Sequence, residues 1–173
     1  MKRFYPKMYK KNIYDINYDK LKELDIKCLV FDLDNTIALI DQDYVDSRTI
    51  TLFKELSNNF IVVIVSNNTS KKRVGKYGEI LSCDYIYNAM KPSRKALRKI
   101  MKKYNLENDK IAVVGDQLVT DIQMASRNKS YPILVDPMGK KDLKITSLNR
   151  FIERQILKNY KKKNIFSKGE YYE

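Results

Sequence analysis

One stretch of this chain constrains its fold more than any other, because an apolar run ends there in two carboxylates. Residues 26–31 are rich in β-branched and aromatic side chains, which predicts a buried strand. Asp32 and Asp34 follow, separated by one residue, where that strand should end. In an open parallel sheet, ligands bind in the crevice beyond the carboxyl ends of the strands. Two acidic groups crowded there are costly unless a cation or a proton-transfer role accounts for them, so we expect a reaction centre here.

Apolar runs alternate with segments of helical periodicity along most of the chain. Further strands are predicted at 60–65, 84–87, 111–114 and 131–135. Helices are predicted near 17–25, 47–56, 70–81, 93–104, 120–127 and 147–160. This alternation predicts an α/β fold, a three-layer α/β/α sandwich with a central, mainly parallel, Rossmann-like sheet.

A chain of 173 residues most naturally forms one domain with a sizeable core. We expect residues 27–160 to form that domain. Residues 1–26 are expected to form a basic, tyrosine-rich arm and a short helix, and residues 161–173 a basic, frayed tail.

Composition excludes several kinds of site. The chain has no histidine, which rules out a Ser-His-Asp triad, a Cys-His pair or a His-ligated zinc within it. Its two cysteines lie beside apolar segments and are expected to be buried free thiols. No apolar run approaches the roughly 20 residues of a membrane span, and the N-terminus lacks the apolar stretch of a signal peptide. A cytoplasmic protein is therefore expected.

The formal net charge of +13 is large for a chain of this size. It favours an acidic partner, such as nucleic acid, an anionic membrane or a phosphorylated substrate. A lysine-rich organism that uses Lys as its solubilising residue would produce the same charge, so these alternatives stay open.

Polar side chains also follow the other predicted strands. They are Ser66 and Asn67, then Lys91, and finally Asp116 and Asp121. Each alone has a simpler interpretation, as a helix cap, a turn residue or a solvated surface charge. Together they share one edge of the sheet and contain what phosphoryl transfer needs: a nucleophile, a metal site and donors for phosphate oxygens.

This ordered set resembles the four motifs of the haloacid dehalogenase (HAD) superfamily. The matching segments are Asp-Leu-Asp-Asn-Thr at 32–36, Ser-Asn-Asn at 66–68, Lys-Pro at 91–92 and Gly-Asp-Gln-Leu-Val-Thr-Asp at 115–121. The match covers roughly residues 27–136. Within the superfamily, the chain is most similar to the subfamily IIIA phosphatases related to phosphatidylglycerophosphate phosphatase. The Tyr-Asp-Ile segment at 14–16 and the form of the last motif support that narrower placement.

The resemblance implies the chemistry of three residues. Asp32 would be the nucleophile that attacks phosphorus and forms an aspartyl-phosphate. Asp34 would protonate the leaving alkoxide and then deprotonate the attacking water. Asp32, the backbone carbonyl of Asp34 and Asp116 would hold Mg²⁺, which suits one or two carboxylates together with water and substrate phosphate.

It also implies the surroundings of the transferred phosphate. Ser66, Asn67 and Lys91 would bind its oxygens, with Lys91 adding positive charge. Asp121 would orient either the metal's ligands or Lys91.

Spacing predicts an open site without a cap domain. Only 29 residues separate Thr36 from Ser66, and 24 separate Ser66 from Lys91, and a helix and a strand must fit in each gap. An uncapped site suits a large or surface-presented substrate, although a homo-oligomer could supply a lid instead.

The helix after Lys91 and the C-terminal helix are basic and amphipathic. Helices of this type can lie on anionic bilayers, but packed helices with solvated outer faces have the same pattern, so both interpretations stay open.

The resemblance implies dephosphorylation of phosphatidylglycerophosphate at the cytoplasmic face of the membrane. One alternative is the same chemistry on a polynucleotide 3′-phosphate or a sugar phosphate. The other is a non-catalytic basic binding module with a vestigial HAD site.

Overall fold

The computed structural model describes residues 4–139, 146–163 and 165–173, with six parallel strands in one sheet. The strands are β1 (Met8–Lys10), β2 (Cys28–Phe31), β3 (Ile61–Val65), β4 (Asp84–Ile86), β5 (Ile111–Gly115) and β6 (Tyr131–Val135). Their spatial order is β1-β6-β5-β2-β3-β4. All described pairs of neighbouring strands are parallel, so the carboxyl ends of the strands lie at one edge of the sheet.

Helices cover both faces of this sheet. They are α1 (Tyr18–Glu23), α2 (Ser47–Ser57), α3 (Lys71–Ile80), α4 (Lys95–Tyr104), α5 (Gln123–Arg127) and α6 (Thr146–Lys162). A π-helical turn, Leu118–Ile122, leads directly into α5. The first three helices pack in one core cluster with alternate strand residues, whereas α4 and α5 pack with the other set. The predicted α/β/α architecture with a parallel sheet is confirmed.

The central strand β2 is buried on both faces because its side chains alternate between the two cores. Leu29 and Phe31 belong to the core under α1–α3, and Cys28 and Val30 to the core under α4 and α5. Phe31 pairs with Ile64 of β3 on one side and with Val114 of β5 on the other. The residues that follow these three strands are therefore neighbours, which is what positions the site.

Three apolar residues near helix ends are exposed. Leu24, Ile50 and Ile80 are 45%, 39% and 39% exposed. Leu24 and Ile80 lie where α1 and α3 end, and Ile50 lies near the start of α2. No helix in the described part of the chain is long and apolar enough to span a membrane.

The two ends of the chain pack together at one side of the sheet. Tyr9 in β1 is fully buried, and its backbone exchanges two hydrogen bonds of 2.9 and 3.0 Å with Tyr172. The Tyr9 ring also contacts Phe166 and Tyr171, with centroids 5.1 and 4.9 Å away. The prediction of a frayed tail is therefore wrong for residues 165–173, because three aromatic side chains of the tail bury apolar surface against β1.

Candidate active site

The carboxyl ends of the central strands bring the predicted motifs together. Asp32 directly follows β2, Ser66 follows β3 and Asp116 follows β5. The Asp32 amide donates to the Val114 carbonyl at 2.9 Å, which extends the pairing of β2 with β5 up to the first carboxylate. The loop after β4 returns to the same place, since the Ala89 amide donates to the Ser66 carbonyl at 3.0 Å.

Lys91, which ends that loop, binds two carboxylates at once. Its Nζ donates to Asp32 Oδ1 at 2.5 Å and to Asp121 Oδ1 at 2.7 Å. The Lys91 side chain is 3% exposed, and those of its two partners are 8% and 1% exposed. A buried ammonium is costly unless it is paired and hydrogen-bonded, so this arrangement accounts for a lysine that composition alone would place on the surface.

Asn67 holds the backbone of Lys91. Its side-chain oxygen accepts from the Lys91 amide at 2.6 Å, and its side-chain nitrogen donates to the Lys91 carbonyl at 3.1 Å. Both ends of its side-chain amide are thus bonded to the backbone of Lys91, and phosphate binding by Asn67 stays a prediction. Asn67 positions the lysine.

Three carboxylates form a group that could hold a metal ion. Oxygens of Asp32, Asp116 and Asp121 lie within 4.8 Å of one another, and all three residues are buried. The Lys91 ammonium is bonded to two of these carboxylates, those of Asp32 and Asp121. An all-oxygen, anionic donor set is what Mg²⁺ binds in proteins, so these residues fit the ion that the motifs imply.

The pKa values of both members of the central pair are raised, for different reasons. Burial raises the pKa of Asp32 to about 7, although the neighbouring Lys91 opposes the shift, and Asp121 adds to it. Burial by itself would lower the pKa of Lys91, but Asp121 and Asp32 outweigh it and raise that pKa above its ordinary value. Burial thus favours the neutral form of Asp32, whereas the two carboxylates favour the charged form of Lys91.

Gly115 permits the close approach of Asp121. A Cβ atom at this position would lie 2.3 Å from Asp121 Cγ, which no real side chain allows. The Gly-Asp pair that opens the last motif thus has a steric role as well as a chemical one. The missing Cβ lets the Asp121 carboxylate, which lies in the π-helical turn, fold back against the end of β5.

Asp34 lies in a different environment from Asp32. Its carboxylate accepts from Arg73 Nη2 at 2.8 Å and Nε at 3.1 Å through Oδ1, and from Asn68 Nδ2 at 2.9 Å through Oδ2. Its side chain is outside the group of three carboxylates, and the metal ligand expected from this residue is its backbone carbonyl. Neither Arg73 nor Asn68 was assigned a role from the sequence. Arg73 follows two lysines in a basic segment, so no local signal distinguishes it.

Arg73 also connects Asp34 to the loop that follows it. Its guanidinium donates to the Leu39 carbonyl at 2.8 Å and to the Gln42 carbonyl. Tyr77, one turn further along α3, donates to the carbonyls of Gln42 and Tyr44 at 3.0 and 2.9 Å. The α3 helix therefore fixes the path of the chain between the second carboxylate and α2.

Ser66 is placed at the site but is buried, with 1% of the residue exposed. Its Oγ accepts from the Asn68 amide at 3.1 Å. This bond orders the loop between β3 and α3, while the N-cap of α3 is Ser70, which accepts from the Arg73 amide at 3.2 Å. Phosphate binding by Ser66 stays a prediction.

The two connections that follow β2 and β3, beside the site, each contain a single helix. Between β2 and β3 the described chain contains one loop and α2, and between β3 and β4 it contains α3. Neither connection holds a further domain that could close over the carboxylates.

Comparison with known proteins supports the motif assignment. A family model described as mitochondrial PGP phosphatase matches residues 1–138. The probable phosphatase YqeG of Bacillus subtilis (strain 168) is 38% identical over 162 residues, which are 94% of this chain and 94% of that protein.

Solved structures share the fold at low identity. The cobalt-bound deoxy-D-mannose-octulosonate 8-phosphate phosphatase YrbI of Haemophilus influenzae aligns with a TM-score of 0.52 at 18% sequence identity. The alignment covers 84% of this chain and 95% of the YrbI chain. An uncharacterized protein of Listeria monocytogenes serotype 4b also has a TM-score of 0.52, at 15% identity, over 68% of this chain and 85% of its own. With its motifs converging at one sheet edge, a family match over most of its length and a full-length relative, the chain belongs to the mitochondrial PGP phosphatase family and is a phosphatase of the HAD superfamily.

Proposed function

We propose that this protein is a Mg²⁺-dependent phosphomonoester hydrolase that converts phosphatidylglycerophosphate to phosphatidylglycerol through an Asp32 phosphoenzyme. The observation that carries the chemistry is the convergence of Lys91, Asp116 and Asp121 on Asp32 at the carboxyl end of β2. The family match supports the choice of substrate.

The reaction would proceed in two displacements at phosphorus. In the first, an Asp32 oxygen forms a bond to phosphorus as the bond to the lipid's glycerol oxygen breaks, and Asp34 gives that oxygen a proton. In the second, Asp34 takes a proton from water, whose oxygen bonds to phosphorus as the Asp32–phosphorus bond breaks. Inorganic phosphate leaves and Asp32 is restored.

Mg²⁺ and Lys91 would supply the positive charge that this chemistry needs. Mg²⁺, when bound by Asp32, Asp116 and the Asp34 carbonyl, would let an anionic carboxylate approach an anionic phosphate. Lys91 would add its ammonium charge on the other side of Asp32, where Asn67 and Asp121 hold it in place.

Arg73 would determine where the acid/base carboxylate lies. Two N–H groups of the guanidinium donate to one oxygen of the Asp34 carboxylate and the Asn68 amide donates to the other, so the carboxylate is restricted in both position and orientation. Transfer of a proton to the leaving group requires that the carboxylate give up one of these bonds or offer a second lone pair. Arg73 is therefore a positioning residue for Asp34.

An open site is suited to a lipid head group. The substrate's own bulk and the bilayer around it would exclude water from the carboxylates, a task that a cap performs for small substrates. We propose a cytoplasmic protein that works peripherally at the inner face of the membrane.

The test is a substrate panel measured with and without Mg²⁺. Phosphate release is compared for phosphatidylglycerophosphate in anionic vesicles, a 3′-phosphorylated oligonucleotide, several sugar phosphates and an aryl phosphate. We expect the lipid to have the highest kcat/KM, and Asp32→Asn to abolish release from every substrate. A preference for the oligonucleotide or a sugar phosphate would overturn the substrate, and equal rates for wild type and Asp32→Asn would overturn the mechanism.

A further inference from the structure

A basic groove lies between α4 and α5, next to the active-site loop. It has a volume of about 260 Å³. Four of its lining residues are basic, and all four are exposed: Arg94, Arg98, Arg127 and Lys129. They come from the start of α4 and from the end of α5, two segments that are distant in sequence.

These four cations have no acidic partner in the described part of the chain, and no carboxylate lines the groove. The far end of α4 differs, because Lys103 forms an ion pair with Asp84. Like charges that converge without counter-ions repel one another, and an anion in the groove would relieve that repulsion. The groove thus offers a ligand four basic side chains that have no ion-pair partner among the described residues.

The groove is joined directly to the catalytic loop. Arg127 Nη1 donates to the Pro92 carbonyl at 3.2 Å, and Pro92 follows the lysine that binds Asp32. Arg94 lies two residues beyond Pro92, at the N-cap of α4. A ligand bound in the groove would therefore be held beside the loop that carries Lys91.

Apolar side chains on the same loop indicate which kind of anion fits. Met90 is 61% exposed and Tyr87 is 39% exposed, both just before Lys91. No aromatic ring lines the groove, whereas grooves for single-stranded nucleic acid usually offer rings on which bases stack. Cations beside protruding apolar side chains match a bilayer interface, where phosphates lie next to acyl chains.

We propose that the α4–α5 groove is a docking site for the phosphate head groups of an anionic lipid bilayer, and that docking there presents the open active site to the membrane. The inference deepens the proposed function and rests on it, since a bilayer is where a lipid phosphate is encountered. It also narrows the sequence-based expectation, from the whole basic face of α4 to the end of that helix shared with α5.

The experiment measures binding to vesicles of phosphatidylcholine with and without phosphatidylglycerol, by cosedimentation. The test variant is Arg98→Gln with Lys129→Gln, which leaves Arg127 and its bond to Pro92 intact. The matched control is Lys54→Gln with Lys72→Gln, which removes the same charge from exposed positions on α2 and α3, across the sheet. Hydrolysis of a soluble aryl phosphate serves as the check that each variant is folded.

We expect the wild-type protein to bind only the vesicles that contain phosphatidylglycerol, and added salt to weaken that binding. The groove variant should bind about 30-fold more weakly, as expected for two basic residues at a bilayer surface, with its aryl phosphatase activity unchanged. The control pair should change binding several-fold less.

Equal losses for the two pairs would overturn the proposal, because binding would then follow net charge alone. So would a wild-type protein that ignores the vesicles and binds a 3′-phosphorylated oligonucleotide. Vesicle binding is measured separately from catalysis. A protein that binds the vesicles through the groove but does not hydrolyse phosphatidylglycerophosphate would therefore refute the proposed substrate and support the docking site.

Discussion

Asp32 and Asp34 are separated by one residue and lie in different electrostatic environments. Asp32 shares a buried site with Asp116, Asp121 and the Lys91 ammonium, and burial raises its pKa to about 7. Asp34 accepts two hydrogen bonds from the Arg73 guanidinium through one carboxylate oxygen. The first carboxylate belongs to a group that could hold a metal ion, whereas the second is paired with a cation of the protein.

The difference follows from which elements reach each carboxylate. The loops after β4 and β5 converge on Asp32, while Asp34 faces α3 and the loop at 39–44. The residue proposed to bind metal and attack phosphorus is thus separated from the one proposed to transfer a proton. The spacing of Asp32 and Asp34 in the sequence does not reveal their different surroundings, because these are formed by segments distant in the sequence.

The largest effect is expected from Asp32→Asn. Loss of the nucleophile should lower kcat on every phosphomonoester by on the order of 10⁴-fold or more. Phosphate release from an aryl phosphate with Mg²⁺ present measures it. Asp19→Asn, which changes an exposed carboxylate on α1, is the control and should leave the rate unchanged. Retained activity in the first variant would place the nucleophile elsewhere.

Asp34→Asn should have a smaller effect that depends on the leaving group. General acid catalysis contributes about 10²–10⁴-fold, and a poor alkoxide leaving group needs it more than a phenolate does. The loss should therefore be greater on phosphatidylglycerophosphate than on an aryl phosphate. Asp43→Asn, in the same loop, is the matched control. Equal losses on the two substrates would argue against proton donation by Asp34.

Much of this architecture could be predicted from the sequence, for physical reasons. Short continuous apolar runs such as 61–65 are typical of buried strands, and polar residues that follow parallel strands share one edge of the sheet. Strand β1 could not be predicted, because Met8–Lys10 has too few residues for periodicity and is paired with β6 and the distant Tyr172.

The supporting side chains were harder to predict than the reacting ones. The sequence did not predict that the Asn67 side-chain amide would hold the Lys91 backbone, because an amide offers a donor and an acceptor to any partner. Arg73 was not assigned at all, because one guanidinium among neighbouring lysines is distinguished only by the carboxylate it meets. Such roles depend on tertiary contacts that leave no local pattern.

Metal binding can be tested at the Asp32 site without measuring catalysis. Mg²⁺ at about 100 times its dissociation constant should stabilise the folded protein by about 2.7 kcal/mol, which raises the melting temperature by several degrees. Asp116→Asn should remove most of that increase, because it deletes one of the three converging carboxylates. Asp84→Asn, an acidic residue outside the group, should retain it. Thermal melts with Mg²⁺ and with EDTA provide the measurement.

The smallest effect is expected from Arg73, because it acts through Asp34 and touches no reacting atom. Arg73→Gln should lower kcat about tenfold and leave KM nearly unchanged, since a mobile Asp34 spends less time where it can transfer a proton. Arg73→Lys keeps the charge but loses the planar guanidinium that donates to Asp34 and to the loop carbonyls at once, so it should restore only part of the rate. The neighbouring exposed residue offers the control Lys72→Gln, which should behave as the wild type does. Combining Arg73→Gln with Asp34→Asn decides the point: a positioning residue adds no further loss once Asp34 is gone, whereas a residue that binds the substrate directly would still lower kcat/KM.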